Sequence, residues 1–263
     1  KHKIKPIIGV EAYVAPKGRT DRSAGGIKDS NYHLVLLARD LDGYRNLLQL
    51  VSIAYLEGFY YKPRIDKELL AKHRAGLIAL TSCLKGAANF HLMQGQADAA
   101  RKEVDDLAEI LGRDNVYVEL QNHGLAQEDK MRPELLRLAK DLRLKTVATN
   151  DVHYLDSKHA ASHDALMAIQ TQTTIDDPHR LRYERPEFYL KSAGEMRALF
   201  PETPEALAST LEIAERCHVS LELNKTHLPW FEPPPGKTQE EYLRELCEAG
   251  LRRRYPEITD ALR

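Results

Sequence analysis

Apolar runs and amphipathic stretches alternate along the chain. Lys5 to Val14 (KPIIGVEAYV) is rich in β-branched residues and passes into a Pro/Gly/Asp/Ser stretch from Ala15 to Asn31, so it reads as a buried strand followed by an excursion. His33 to Arg39 (HLVLLAR) reads as a second strand. From Asp40 to Gly58, Leu41, Tyr44, Leu47, Leu48, Val51 and Tyr55 recur at helical spacing, behind an Asp that can cap and ahead of a Gly that can end the helix. Gly76 to Ser82, Val116 to Gln121 and Lys145 to Asn150 read as three more strands, with a short one near Phe188 to Leu190. Helical patterns cover Ala87 to Gly95, Ala97 to Gly112, Glu128 to Leu142, Ser157 to Gln170, Ala193 to Phe200 and Pro204 to Cys217. Strand and helix alternating five times predict an α/β fold, a mainly parallel sheet with helices outside it.

Leu228 to Lys237 carries four of the chain's 13 prolines and reads as a linker. Behind it, Thr238 to Tyr255 is a charged amphipathic helix ending in Arg252-Arg253-Arg254. A lone helix has nothing of its own to pack against, so it is expected to open a further domain. The chain also begins abruptly, with no initiator Met, and its amino end is expected to be cut.

Composition narrows the classes. The 263 residues, 43% hydrophobic and 29% charged, suit one or two globular domains. Lys and Arg number 38 against 39 Asp and Glu, a net charge of −1, so there is no overall basic field for gripping phosphates. No apolar run approaches the roughly 18 residues of a membrane span, and Lys1-His2-Lys3 leads into a strand-like segment instead of a signal peptide; a cytoplasmic location without membrane partners is expected. Cys83, Cys217 and Cys247 are too scattered for a disulfide framework.

Residues able to hold a metal fall at strand ends: Glu11, Cys83, His123, Asp151 and His153. In parallel α/β folds the reactive groups gather at the carboxyl ends of strands. If the strand runs on through Asp151 and His153, both side chains point to one side and can share an ion. Carboxylate beside imidazole suits zinc, manganese or iron, and a thiol at Cys83 tilts the choice toward zinc. Each residue also has a plainer reading. Glu11 can pair an arginine, Cys83 can be an inert thiol, His123 a turn residue and Asp151 a helix cap. His33 opens a strand and is open to either role. Arg64, in the loop Tyr60 to Arg64, could meet a phosphate or simply be exposed. His159 reads as a surface residue, and His163 as a packing or supporting one.

The segments KPIIGVEAYV, NYHLVLLARD, GYRNLLQLVSIAYLEGFYYKPRID, GLIALTSCLKG, VYVELQNHG and TVATNDVHYL, followed by DALMAIQT and FYLKSAGEMRALFPE, resemble in the same order the PHP (polymerase and histidinol phosphatase) domain of the bacterial replicative DNA polymerase III alpha-subunit family. The resemblance implies a distorted, TIM-like seven-stranded βα barrel with up to three divalent ions at its carboxyl face, zinc first, with manganese or magnesium as alternatives. Glu11, Cys83, His123, Asp151 and His153 fall on the family's ligand positions, and Cys83 stands where many relatives have His. His33, Arg64 and His163 are candidates for supporting or phosphate contacts. The family's opening His-x-His strand is missing from this sequence, so the first two βα units are expected to be absent, the site incomplete and this piece alone inactive. Residues 1–222 are expected to form the PHP domain, 223–237 the proline-rich linker and 238–263 the start of the polymerase region. The implied function is 3′-to-5′ exonuclease-type phosphodiester hydrolysis within a replicative polymerase, with primer-template DNA, a sliding clamp and other replicase subunits as partners. Alternatives are a non-catalytic scaffold that docks a separate proofreading subunit, and a free-standing phosphomonoesterase.

Overall fold

A computed structural model describes residues 4–23, 31–226 and 228–262. The basic start Lys1-His2-Lys3 and residues 24–30 of the expected excursion lie outside the described residues. The chain divides into two compact units, Lys1–Leu221 and Glu222–Arg263.

In the first unit six strands form one sheet: β1 (Gly9–Val14), β2 (Tyr32–Ala38), β3 (Arg64–Ile65), β4 (Leu77–Leu80), β5 (Val116–Leu120) and β6 (Lys145–Ala148). Their order is β3-β1-β2-β4-β5-β6. The α/β class holds, but the sheet is less parallel than the alternation implies. β2 runs antiparallel to both β1 and β4, whereas β1–β3, β4–β5 and β5–β6 are parallel. A parallel pair needs a crossover of a dozen or more residues, usually helical, and the sequence between Val14 and Tyr32 carries no helical pattern. Phe188 to Leu190 makes only an isolated bridge, Tyr154 to Tyr189, instead of a strand.

Helix α1 (Leu41–Leu56) starts where Asp40 accepts the Gly43 N–H at 2.9 Å. Its first turn lies against the turn before β4 so closely that a Cβ on Gly43 would meet the Gly76 carbonyl oxygen at 1.9 Å. Helix α2 (Lys67–Lys72), capped by Asp66, and β3 have no counterpart in the periodicity, being too short to show one. Then follow α3 (Ala87–Met93), α4 (Ala97–Leu111), α5 (Ala126–Leu142), α6 (Ala160–Gln170), α7 (Ala193–Leu199) and α8 (Pro204–Arg216).

Alternation along the strands sorts the core onto the two faces of the sheet. Leu77 and Ala79 of β4, with Val116, Val118 and Leu120 of β5, pack with Leu47 and Leu50 of α1, Val104 and Leu107 of α4, and Met131 and Leu135 of α5. Ile78, Leu80, Tyr117 and Val147 form a second cluster with Ile213 and Cys217. Each fully buried Leu, Ile or Val side chain contributes about 1.5–3 kcal/mol.

Arg64 corrects the expectation of an exposed cation. It is 2% exposed, and its guanidinium donates to the carbonyls of Gly58, Arg19 and Asp21 at 3.1, 3.0 and 2.7 Å. Burying a guanidinium requires partners for its donors, and three main-chain carbonyls accept from Nε and one terminal nitrogen here. Those bonds tie the described start of the excursion to β3, so Arg64 is a fold-holding group and not a phosphate contact.

The second unit contains α9 (Gln239–Arg254), capped by Thr238 and Glu241 in a reciprocal pair of hydrogen bonds. None of its residues is buried.

Candidate metal centre

Cys83, His123 and Asp151 each stand three residues past the end of a strand, after Leu80, Leu120 and Ala148 respectively. The three strands β4, β5 and β6 are parallel neighbours, so their trailing loops leave the sheet on one side. Glu11 lies within β1, and its register partner on β2 is Val35. His33 pairs with Tyr13 on the same ladder, so Glu11 and His33 are diagonal neighbours on one face. The His33 N–H donates to the Lys85 carbonyl at 3.0 Å, which brings the loop after β4 alongside.

The result is a three-residue cluster. The Glu11 carboxylate pairs with His33 Nδ1, Cys83 Sγ lies 3.8 Å from the same nitrogen, and one ligand atom from each residue lies within 4.8 Å of the others. His33 is drawn into the cluster as a full member, beyond the supporting role expected of it. Burial works against a charge on His33, yet Cys83 and Glu11 outweigh it and hold the imidazole up to about 9. A carboxylate, an imidazole and a thiol thus already gather around one proton's positive charge. That donor set, three protein groups with a side open to the cleft, fits a zinc-type site that keeps a fourth position free.

Asp151 and His153 face the same cleft, of about 590 Å³, together with Lys85, Arg182 and Tyr183. β6 has ended before them, so the loop and not strand alternation brings them together. His153 Nδ1 meets the Asp151 carbonyl oxygen at 2.9 Å and its carboxylate at 3.6 Å. A carbonyl can only accept, so Nδ1 carries a hydrogen; in the neutral ring Nε2 then accepts from the Tyr183 hydroxyl at 2.7 Å. Burial, then the negative charges of Asp151, Cys83 and Glu11, push the Tyr183 phenol up to about 12. Burial also raises the Asp151 carboxyl, and the Glu11 charge adds to the effect against the favourable pull of His153, His123 and His33. Two carboxylates facing one cleft in this way favour a cation between them.

His123 is 1% exposed and stacks on Phe188, with ring centroids 4.1 Å apart and planes 6° from parallel. Its Nδ1 bonds Glu128 and its Nε2 accepts the Asp151 N–H at 3.2 Å. His123 does stand at the bend that Asn122 and Gly124 suggested, but its ring is buried instead of facing water. His163 packs its ring near those of His153, Tyr154 and Tyr183. His159 is exposed. Glu128, Tyr183 and Phe188 escaped the sequence reading; only Glu128, five residues after His123 in the first turn of α5, carried a local signal.

The mixed α/β sheet with its cluster of metal-type donors is consistent with a PHP domain, and residues 1–123 match the PHP domain family. PHP domains are a metal-dependent family, and beyond the matched stretch nearly the whole chain is similar to bacterial DNA polymerase III alpha subunits. The DNA polymerase III subunit alpha of Thermus aquaticus is 46% identical over 266 residues, covering 98% of this chain and 22% of that protein. Those of Treponema pallidum and Deinococcus radiodurans are 43% and 42% identical, covering 99% and 98% of this chain. The chain spans about a fifth of the length of these relatives. Among the described residues no helix is long and apolar enough to cross a membrane.

Proposed function

We propose that the chain is the PHP portion of a replicative DNA polymerase alpha subunit, and that its cleft carries metal-assisted phosphodiester hydrolysis of the 3′-to-5′ exonuclease type. The observation that carries this reading is the convergence of Glu11, His33 and Cys83 within 4.8 Å, in a cleft shared with Asp151 and His153. The six strands belong, on this reading, to the seven-stranded barrel of the family, and residues 238–263 open the polymerase region. DNA, a sliding clamp and other replicase subunits are then its partners, in the cytoplasm.

Glu11, His33 and Cys83 hold the ion, with Asp151 and His153 beside them and His123 behind. A divalent ion held there, zinc by its donor set, supplies a Lewis acid that lowers the pKa of bound water and offsets charge on phosphoryl oxygens. Lys85 and Arg182 line the cleft without an ion-pair partner among the described residues and orient the phosphate. Tyr183, kept protonated at neutral pH, donates its hydroxyl hydrogen to the His153 Nε2 atom.

A scaffold role is the second reading, and one observation favours it. Protein donors already occupy the Nε2 atoms of both His123 and His153, so those two nitrogens are satisfied without an ion. The relatives support a polymerase setting over a free-standing phosphomonoesterase. Elemental analysis and a single-strand nuclease assay on the full polypeptide carrying this chain, against Asp151→Asn and His153→Ala, decide between the two. The catalytic reading expects bound divalent metal and cleavage that falls at least tenfold in both variants; undiminished metal and cleavage in both would defeat it.

A further inference from the structure

Behind the cleft lies a buried carboxylate that touches none of the candidate ligands and has no part in the mechanism. Glu119, in β5, is 4% exposed. Strand alternation turns it away from Val118 and Leu120 to the face that carries Tyr117. One carboxylate oxygen, Oε2, accepts the backbone N–H of Ser82 at 2.8 Å. The other, Oε1, accepts the Thr149 hydroxyl and the Gln121 amide, the latter at 3.2 Å. Ser82 directly precedes Cys83, Thr149 stands two residues before Asp151, and Gln121 two before His123. A single side chain therefore bonds the outgoing loops of β4, β5 and β6.

Ser82 has φ +68°, a left-handed conformation that a residue with a Cβ adopts only when its surroundings impose it. The Glu119 bond to its N–H is one such imposition. The Thr81 hydroxyl accepts the Glu119 N–H at 2.9 Å, a second link between the loop after β4 and the same residue of β5.

The geometry points to Glu119 as a positioning residue: a carboxylate clamp that sets Cys83, the cluster's thiol, relative to His123 and Asp151 beside it before any ion arrives. This rests on the metal reading above and deepens it. An ion bound by groups that are already in place loses no affinity to ordering three loops. Neighbours that orient ligands in this way typically govern affinity by about 10- to 100-fold.

Glu119→Leu and Glu119→Gln, in the full polypeptide, test the clamp, with Tyr117→Phe as a control that removes two part-buried hydrogen bonds from the same strand, to Glu212 and from Arg216, neither of which reaches the three loops. Amide exchange at Ser82, in the metal-free protein, reads the clamp itself. Zinc affinity by competition and the thiolate-to-cobalt absorption band of the cobalt(II)-loaded protein read its consequence. Glu119→Leu is expected to speed Ser82 exchange, weaken zinc at least tenfold and dim the cobalt band, and Glu119→Gln, which keeps one acceptor, to fall between it and the parent. Tyr117→Phe is expected to lower the melting temperature yet leave zinc affinity within about twofold. Should Glu119→Leu not fold, Glu119→Gln and Thr149→Val carry the test in the same direction. Unchanged Ser82 exchange, unchanged zinc affinity, or a loss no larger than that of Tyr117→Phe would each overturn the role. A parent protein that binds no zinc overturns both this role and the metal reading, and that outcome is recognised before any substitution is made.

Discussion

Glu128 accepts both the backbone N–H and the Nδ1–H of His123, each at 2.6 Å, so one carboxylate fixes the main chain and the ring of the same residue. Burial would raise that carboxyl, but the His123 bonds and the Leu125 N–H outweigh it and hold it below the ordinary glutamate range. The tautomer follows: Nδ1 keeps its hydrogen, and Nε2 is the nitrogen presented toward Asp151.

Glu128→Gln puts an amide NH₂ against one of two donors. We expect a loss of about 1–3 kcal/mol in chemical denaturation, together with zinc affinity at least tenfold weaker by competition titration. A variant as stable as the parent would show that the pair is not held in solution.

Metal removal gives a direct reading of the cluster. At a zinc concentration about a hundred times its Kd, binding adds about 2.7 kcal/mol to stability, so chelator should lower the melting temperature and zinc restore it. Cys83→Ser should abolish the thiolate-to-cobalt band, and His33→Ala should weaken zinc binding. A melting temperature indifferent to chelator and zinc would refute a resident ion.

Arg64→Lys cannot reproduce a planar fork donating to three carbonyls. A cost of about 3 kcal/mol is expected from the carbonyls left unpaired. Any nuclease activity, per folded molecule, should keep its KM, because the guanidinium does not line the cleft. A raised KM at unchanged stability would return Arg64 to the substrate.

Asp66 gives a pH prediction. Its carboxylate caps α2 through the Leu69 N–H and bonds the Arg19 N–H and guanidinium. Burial raises the carboxyl, but these bonds outweigh it, and the net shift is downward. A depressed carboxyl binds fewer protons in the folded state. Its contribution is therefore complete above the ordinary aspartate value near 3.8 and is lost as pH falls through the lower folded value. Asp66→Asn keeps a capping oxygen, so it should cost about 1–2 kcal/mol at pH 7, and the gap to the parent should close below about pH 4. A gap that is constant from pH 7 to pH 3 would show that the charge plays no part.

Periodicity reported the long elements well. Asp40 with Tyr44 and Leu47 marked α1 to within a residue or two, and the unbroken apolar runs LIAL and VYV marked β4 and β5. Two-residue β3 and six-residue α2 left no period to detect, and the reversed direction of β2 was signalled only by the missing helix between Val14 and Tyr32. Glu11, Cys83, Asp151 and His153 could be singled out as metal-type groups near strand ends, and the structure turns all four into one cleft. Their role as ligands stays a proposal.

The chain's own order of residues determined the α/β class, the helices with their caps, and the set of side chains from which a metal site could be built, because those follow from local spacing and side-chain chemistry. Tertiary structure alone decided that His33 sits diagonal to Glu11, that Arg64 faces inward onto carbonyls and that Glu119 joins three loops. Each of these rests on register or on pairing between residues distant in sequence, where the cost of burying a polar group selects a partner that no local pattern names.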